Sequence, residues 1–363
     1  MGEQQCHSLS RHSPSDSSTV PALGIAVDEQ NVLPGALSLI RELRPDWDLR
    51  HVQTKLFTDG ITNKLLACYV DTCMKDAVLV RVYGKRTELF VDREDEVTSF
   101  QLLQAHGCAP ELFCTFQNGL CYEFMRGLAL GPEHVRQSQI LRLIAHEMAK
   151  YHCIPVHNGC LPKPVLWQKL NKYLCILHTE EGIQDRLPAG IPSLKVLEEE
   201  LLWLQKYLPS LESPIVLCHN DLLCKNVIYN EEEGHVRFID YEYAGYNYQA
   251  YDIANHFNEF AGVREPDYRL FPDRETQRQW LRHYLGACRK LKGVEGEPQD
   301  KEVDKLCMQV NQFVLASHFF WGLWALIQHR FSDIDFNFAQ YAKLRFQQYF
   351  QVKPHMTTLQ DVK

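Results

Sequence analysis

One stretch constrains this chain more than any other: residues 216–243, VLCHNDLLCKNVIYNEEEGHVRFIDYEY. A short apolar run ends in His219-Asn220-Asp221, and Asn226 follows. A second apolar run, residues 236–239, delivers Asp240 from its end. Apolar runs separated by polar, turn-forming residues are the pattern of strands, and residues 230–234 are the expected turn between the two. Such a hairpin gathers Asp221, Asn226 and Asp240 at one end of a small sheet.

Two carboxylates and an amide in that arrangement suit phosphoryl transfer. One carboxylate orients the attacking hydroxyl and accepts its proton. An amide oxygen and a second carboxylate hold a divalent cation on the phosphates. Asp, four residues, then Asn, with a strand-end Asp to follow, is the spacing of a kinase catalytic loop. Asp221 is then the candidate base, Asn226 and Asp240 the candidate metal ligands, and His219 a member of the same catalytic set. Asp and Asn also cap turns. His219 before the pair and Ile239-Asp240 after it favour the catalytic reading.

Composition bounds the rest. A chain of 363 residues, 45% hydrophobic, can build two lobes around a cleft. A net charge of −8 argues against nucleic acid or an anionic membrane as partner, and mildly favours a cationic substrate. The 13 cysteines form no C-x-x-C, and Cys68, Cys121 and Cys218 lie in apolar runs, so reduced thiols in the cytoplasm are expected. No signal peptide is read at the start, and Cys6 stands where a myristoylation signal after Gly2 needs Ser or Thr. The most apolar stretch, residues 313–327, carries Ser317 and His318 and is shorter than a bilayer requires, so it reads as a buried helix.

Taken in order, residues 1–34 read as a disordered tail. Residues 36–44 have helical spacing, and 47–55 are a candidate extension after Pro45. Residues 55–73 read as strand, turn, strand. The turn holds Gly60, Thr62 and Asn63, and a polar turn with a glycine lets backbone N–H groups approach phosphate oxygens. An ordinary hairpin turn is the plain alternative. Residues 77–83 are a strand with Arg81 in its middle, which is costly unless paired or turned to water. Residues 94–103 form a helix with Val97, Phe100 and Leu103 on one face. Glu96 is the expected acid partner of Arg81, with Glu94 in reserve. Residues 110–116 and 120–124 read as strands joined by Asn118-Gly119.

Residues 140–152 form an amphipathic helix. His152 and His157 have a metal-like spacing, but Pro155 lies between them and no cysteine pair accompanies them, so no metal is assigned there. Residues 163–211 read as helical, with the acidic run 198–200 on a solvated face. Residues 251–256 open a helix carrying Glu259, where Asp252 is assigned a structural role as a cap or an anchor for the catalytic loop. Further helices are expected over 274–290, 303–328 and 338–350. Trp321 and Trp324, at i and i+3, share one helix face, as core or as pocket wall.

The His219-Asn220-Asp221 and Ile239-Asp240-Tyr241-Glu242-Tyr243 motifs, with FTDGITNKLLACY at 57–69 and YNYQAYDIANHFNE at 246–259, resemble the choline/ethanolamine kinase family over about residues 36–350. The resemblance implies an α+β, bilobal, protein-kinase-like fold of the aminoglycoside phosphotransferase/choline kinase type. A β-rich N-terminal lobe would span 36–124 and a larger helical C-terminal lobe 125–363, after a tail of 1–35. It implies ATP as co-substrate, Mg²⁺ held by Asn226, Asp240 and Glu242, and phosphates steadied by Arg81 and by the turn with Gly60, Thr62 and Asn63. Glu123 and Met125 would offer main-chain groups to adenine. Tyr243, Glu259, Trp321, Trp324 and Tyr341, with Asp221, would form an amine pocket, where aromatic faces attract an ammonium by roughly 0.5–2 kcal/mol each. Leu223 stands where choline kinases carry Gln, and residues 260–264 offer one aromatic. This leans the implied reaction toward ethanolamine and phosphoethanolamine, the first step toward phosphatidylethanolamine. A choline kinase of broad specificity and a non-catalytic pseudokinase scaffold are the alternatives. The resemblance admits a homodimer.

Overall fold

The computed structural model describes residues 20–57, 63–84, 86–156, 162–179, 187–332 and 334–358. The N-terminal part contains β1 (Ala22–Leu23), α1 (Val32–Leu43), β2 (Gln53–Phe57), β3 (Lys64–Tyr69), β4 (Val78–Val82), α2 (Arg93–Ala105), β5 (Leu112–Phe116) and β6 (Gly119–Glu123). Its six strands lie in the order β1-β5-β6-β4-β3-β2, antiparallel except for β1 against β5. Ala36, Leu39 and Ile40 of α1 bury against Val78, Val80 and Val82 of the sheet. The segment expected to be tail therefore carries structure from Val20 onward. β1 adds to the sheet edge, and Asn118 clamps Val27 through both its amide atoms, at 2.9 and 2.8 Å.

Two further expectations are corrected here. Residues 47–55 do not extend α1. The helix stops at Leu43, and Arg44, which precedes Pro45, adopts φ −135°, as the pyrrolidine ring demands of its neighbour. The β5–β6 turn is Gln117-Asn118, one residue earlier than expected. Gly119 already pairs with Phe116, and a Cβ there would stand 2.0 Å from the Arg81 carbonyl oxygen, so the glycine serves strand approach rather than the turn.

The C-terminal part continues through β7 (Leu128–Ala129), α3 (Ser138–His152), α4 (Val165–Thr179), α5 (Leu194–Tyr207), β8 (Ile215–Cys218), β9 (Val227–Asn230), β10 (His235–Phe238), β11 (Gly245–Tyr248), α6 (Gln249–Asn258), α7 (Arg274–Leu291), α8 (Asp300–Phe331) and α9 (Phe338–Thr358). The hairpin partner of β10 is β9, with Asn230 opposite His235. The run at 216–218 forms β8 and pairs instead with β11, Cys218 opposite Gly245. Residues 219–226 thus hang between two ladders rather than inside one hairpin.

α8 reaches 32 residues, and an 18-residue window averages a hydropathy of 1.3, so it is long and apolar enough to cross a membrane, contrary to the length expected. Burial of 94% of that window within the protein accounts for its apolarity instead. Its middle is covered on several sides by α4, α6, α7 and α9. The acidic run on α5 is only partly solvated: Glu198 and Glu199 are exposed, but Glu200 accepts from Tyr349 at 2.5 Å and pairs with Lys353, both on α9.

Candidate active site

The catalytic loop is fixed by one buried carboxylate. Asp252, in the first turn of α6 and fully buried, accepts the backbone N–H of His219 at 2.9 Å and of Asn220 at 2.8 Å. It also takes His152 Nε2 at 3.0 Å, and His152 Nδ1 meets the Tyr284 hydroxyl at 2.7 Å. Burial alone would raise the Asp252 pKa, but these donors outweigh it and hold the group below its ordinary value. Of its two possible roles, anchoring the loop is the one its contacts define. His152, Cys218 and Asp252 cluster closely enough to suggest a metal, yet the Asp252 oxygens are already spent on N–H donors.

Asn220 sits at φ +65°, a conformation Asn tolerates better than most residues. Its side chain donates to the carbonyls of Tyr243 and Gly245 and accepts from Asn247, tying the loop to β11. His219 donates Nε2 to the Ile239 carbonyl at 2.9 Å, and burial lowers its pKa, so Nδ1 faces the Asp221 N–H as an acceptor. His219 therefore braces the loop after β8 against the end of β10 and does not itself line the cleft.

Asp221, Asn226, Asp240 and Glu242 line one cleft of about 560 Å³. The Asp221 Oδ1 atom is buried and has no hydrogen-bond partner among the described residues. Burial, then the charges of Asp240, Glu259 and Glu242, push its pKa well up against the pull of Arg345. Asn226 spends its Nδ2 on the Asp221 carbonyl at 2.8 Å, which leaves its amide oxygen as an acceptor. Asp240, at φ +68°, is pushed up to about 7 by burial and by Glu242 and Glu96, although Arg81 pulls it down. An excess of hard oxygen donors that repel one another is what a divalent cation relieves, so the donor set fits Mg²⁺.

Arg81 is paired rather than turned to water. Its guanidinium reaches Glu96 at 3.0 Å, Asp240 at 2.9 Å and Glu242 at 2.6 Å. Glu96 is buried and also takes Arg93 at 2.8 Å, whereas Glu94 is exposed and takes no part. Glu242, expected beside the metal, has Arg81 and Asn63 on its Oε2. Gly60 and Thr62 lie outside the described residues, as does His157. Glu123 and Met125 fall at the end of β6 and in the segment leading to β7, outside the lining of this cleft.

The same cleft is also lined by Tyr243, Trp321, Trp324, Phe336 and Tyr341, together with Glu259. The two indoles cross at 78° with centroids 5.4 Å apart. Trp324 donates to the Tyr243 hydroxyl at 2.9 Å, and Trp321 to Asn255 at 2.7 Å, so each ring is held by its polar edge while its face stays free to pack. Arg345, on α9, pairs with Glu259 Oε1 and donates to the Tyr341 hydroxyl at 2.9 and 2.6 Å. The other oxygen, Glu259 Oε2, is buried and has no hydrogen-bond partner among the described residues. Arg345 and Phe336 were not legible as site residues. Arg345 is one of several basic residues in a helical stretch, and its partner lies 86 residues away.

A two-lobed cleft with a buried carboxylate, metal-type donors and a buried cation on the sheet defines a protein-kinase-like phosphotransferase. Residues 54–350 match the family model described as choline/ethanolamine kinase. The chain is 62% identical to ethanolamine kinase 2 of Rattus norvegicus, over 94% of this chain and 86% of that protein. It is 59% identical to ethanolamine kinase 1 of Mus musculus, over 96% and 98%. A solved ethanolamine kinase of Plasmodium vivax superposes with a TM-score of 0.77 at 28% identity, covering 89% of each chain. The protein belongs to the choline/ethanolamine kinase family, and its α+β bilobal fold is the one the resemblance implied.

Proposed function

We propose that the protein is an ATP-dependent ethanolamine kinase that produces phosphoethanolamine in the cytoplasm. One observation carries this reading: Asp221 Oδ1 and Glu259 Oε2, each buried and without a partner among the described residues, line the same cleft. One can accept from a hydroxyl and the other from an ammonium, the two ends of an amino alcohol. Glu259 and the rings of Tyr243, Trp321, Trp324 and Tyr341 bind the ammonium by charge and cation–π attraction. Asp221, steadied by the Asp252 anchor, orients the substrate hydroxyl and takes its proton. Asn226 and Asp240 would hold Mg²⁺, which when bound neutralises charge on the ATP phosphates. Glu242 keeps Arg81 aimed at the phosphates rather than entering the metal shell. Positioning and charge neutralisation supply most of the rate in such chemistry.

A primary ammonium offers three N–H donors to Glu259, whereas a quaternary one offers none. Ala261, Gly262 and Val263 line the mouth where further rings would favour a quaternary group, and Leu223 is apolar. These features support ethanolamine over choline. The test is ADP release from Mg-ATP with ethanolamine or choline at equal concentration. Turnover with ethanolamine well above that with choline is expected. Comparable turnover would keep the chemistry and overturn the amine specificity. ADP release that neither amine stimulates would overturn the reading.

A further inference from the structure

α3 and α7 carry a pair of thiols next to the anchor of the catalytic loop. Cys153 caps the C-terminus of α3, directly after His152, and Cys288 lies one turn beyond Tyr284 on α7. The His152 and Tyr284 rings meet at 5.5 Å, which sets the two helix ends side by side. The 2.7 Å contact of His152 Nδ1 with the Tyr284 hydroxyl brings the two thiols into the same neighbourhood, close enough for each to act electrostatically on the other. Cys153 is half-buried, whereas Cys288 is buried. The cross-strand pair Cys114 and Cys121 differs: both are buried within the sheet and out of reach.

We propose that Cys153 and Cys288 form a redox-active dithiol, which peroxide converts to an intramolecular disulfide that loosens the catalytic-loop anchor. The Cys153 thiolate attacks one peroxide oxygen, the O–O bond breaks, and Cys153 sulfenic acid and water result. The Cys288 thiol then attacks that sulfur, forming the S–S bond and releasing a second water. The two thiols lose two electrons and the peroxide gains them. The thiol contact and nearby Lys292 lower the Cys153 pKa to about 7, close to the optimum for an attacking thiol. Closing the bond draws the two helix ends together. His152 and Tyr284 ride on those ends, and through Asp252 they hold the backbone of His219 and Asn220.

The test treats the full chain with hydrogen peroxide, alkylates the remaining thiols and maps peptides by mass spectrometry. A Cys153–Cys288 cross-link is expected, with turnover falling by about 10-fold, as misplacing a positioned group can cost, and recovering on reduction. Cys288→Ser and Cys153→Ser each remove the link from a different helix, and both should keep basal turnover and resist the peroxide effect. Alkylated Cys153 and Cys288 beside oxidised Cys73 or Cys175 would overturn the site. A cross-link that leaves turnover unchanged would overturn the coupling to the loop. The peptide map does not depend on which amine is phosphorylated.

Discussion

At the scale of single residues, the proposed site depends on two buried carboxylates, Asp221 and Glu259. Asp221→Asn keeps the shape and removes the proton acceptor. It should cut turnover by about 10²–10⁴ while ATP binding changes little, as expected of a positioned base. Near-normal turnover would show that Asp221 is not the base. Burial raises the Glu259 pKa and the paired Arg345 pulls it back toward the ionised form, and each residue is only 1% exposed. Arg345→Met should therefore cost ~3–5 kcal/mol in urea unfolding, because it strands a buried charge. The double variant Glu259→Gln with Arg345→Met should recover part of that loss, and additive losses would mean that the two are not coupled. Asp221, Asn226, Asp240 and Glu259 were legible from spacing and resemblance. Arg345 was not, because nothing local marks which basic residue of α9 turns inward.

Among the elements, the loop anchor on α6 and the aromatic face of α8 make separable claims. The native Asp252 pKa lies below its ordinary 3.8. The ionised group therefore contributes stability that is complete above the ordinary Asp range and drains away as pH falls below it toward the lower native value. Asp252→Asn should be markedly less stable than the parent at neutral pH. The difference in melting temperature should shrink below about pH 4, and a gap that stays constant in acid would argue against an ionised anchor. Trp324 packs against Trp321 and Phe338 and also lines the cleft. Trp324→Ala should raise the amine KM more than the ATP KM, whereas an unchanged amine KM would return this ring to the core. Helical spacing predicted that the two indoles share a face. It could not decide what that face meets, since core and pocket walls follow the same period.

For the whole molecule, Arg81 is the joint between the sheet and the catalytic half. It leaves β4 and binds Glu96 of α2 on one side and Asp240 and Glu242 beyond β10 on the other. Arg81→Gln should leave three carboxylates facing one another. It should lower stability by ~3–5 kcal/mol and weaken ATP binding together, and a variant as stable as the parent would show that the joint is dispensable. The sequence by itself determined the phosphotransfer motif and the order and type of the main elements, which rest on short-range periodicity and spacings within a single motif. The choice of Glu96 as partner of Arg81 leaned on the family resemblance, with Glu94 in reserve, and the fold decided it. Tertiary structure alone decided that β10 pairs with β9 and not β8. It also decided that α8 is apolar because it is buried, that Glu259 meets Arg345, and that two thiols 135 positions apart in number, Cys153 and Cys288, lie together. Each of those outcomes depends on which surfaces meet when the chain closes on itself, and no window of neighbouring residues carries that information.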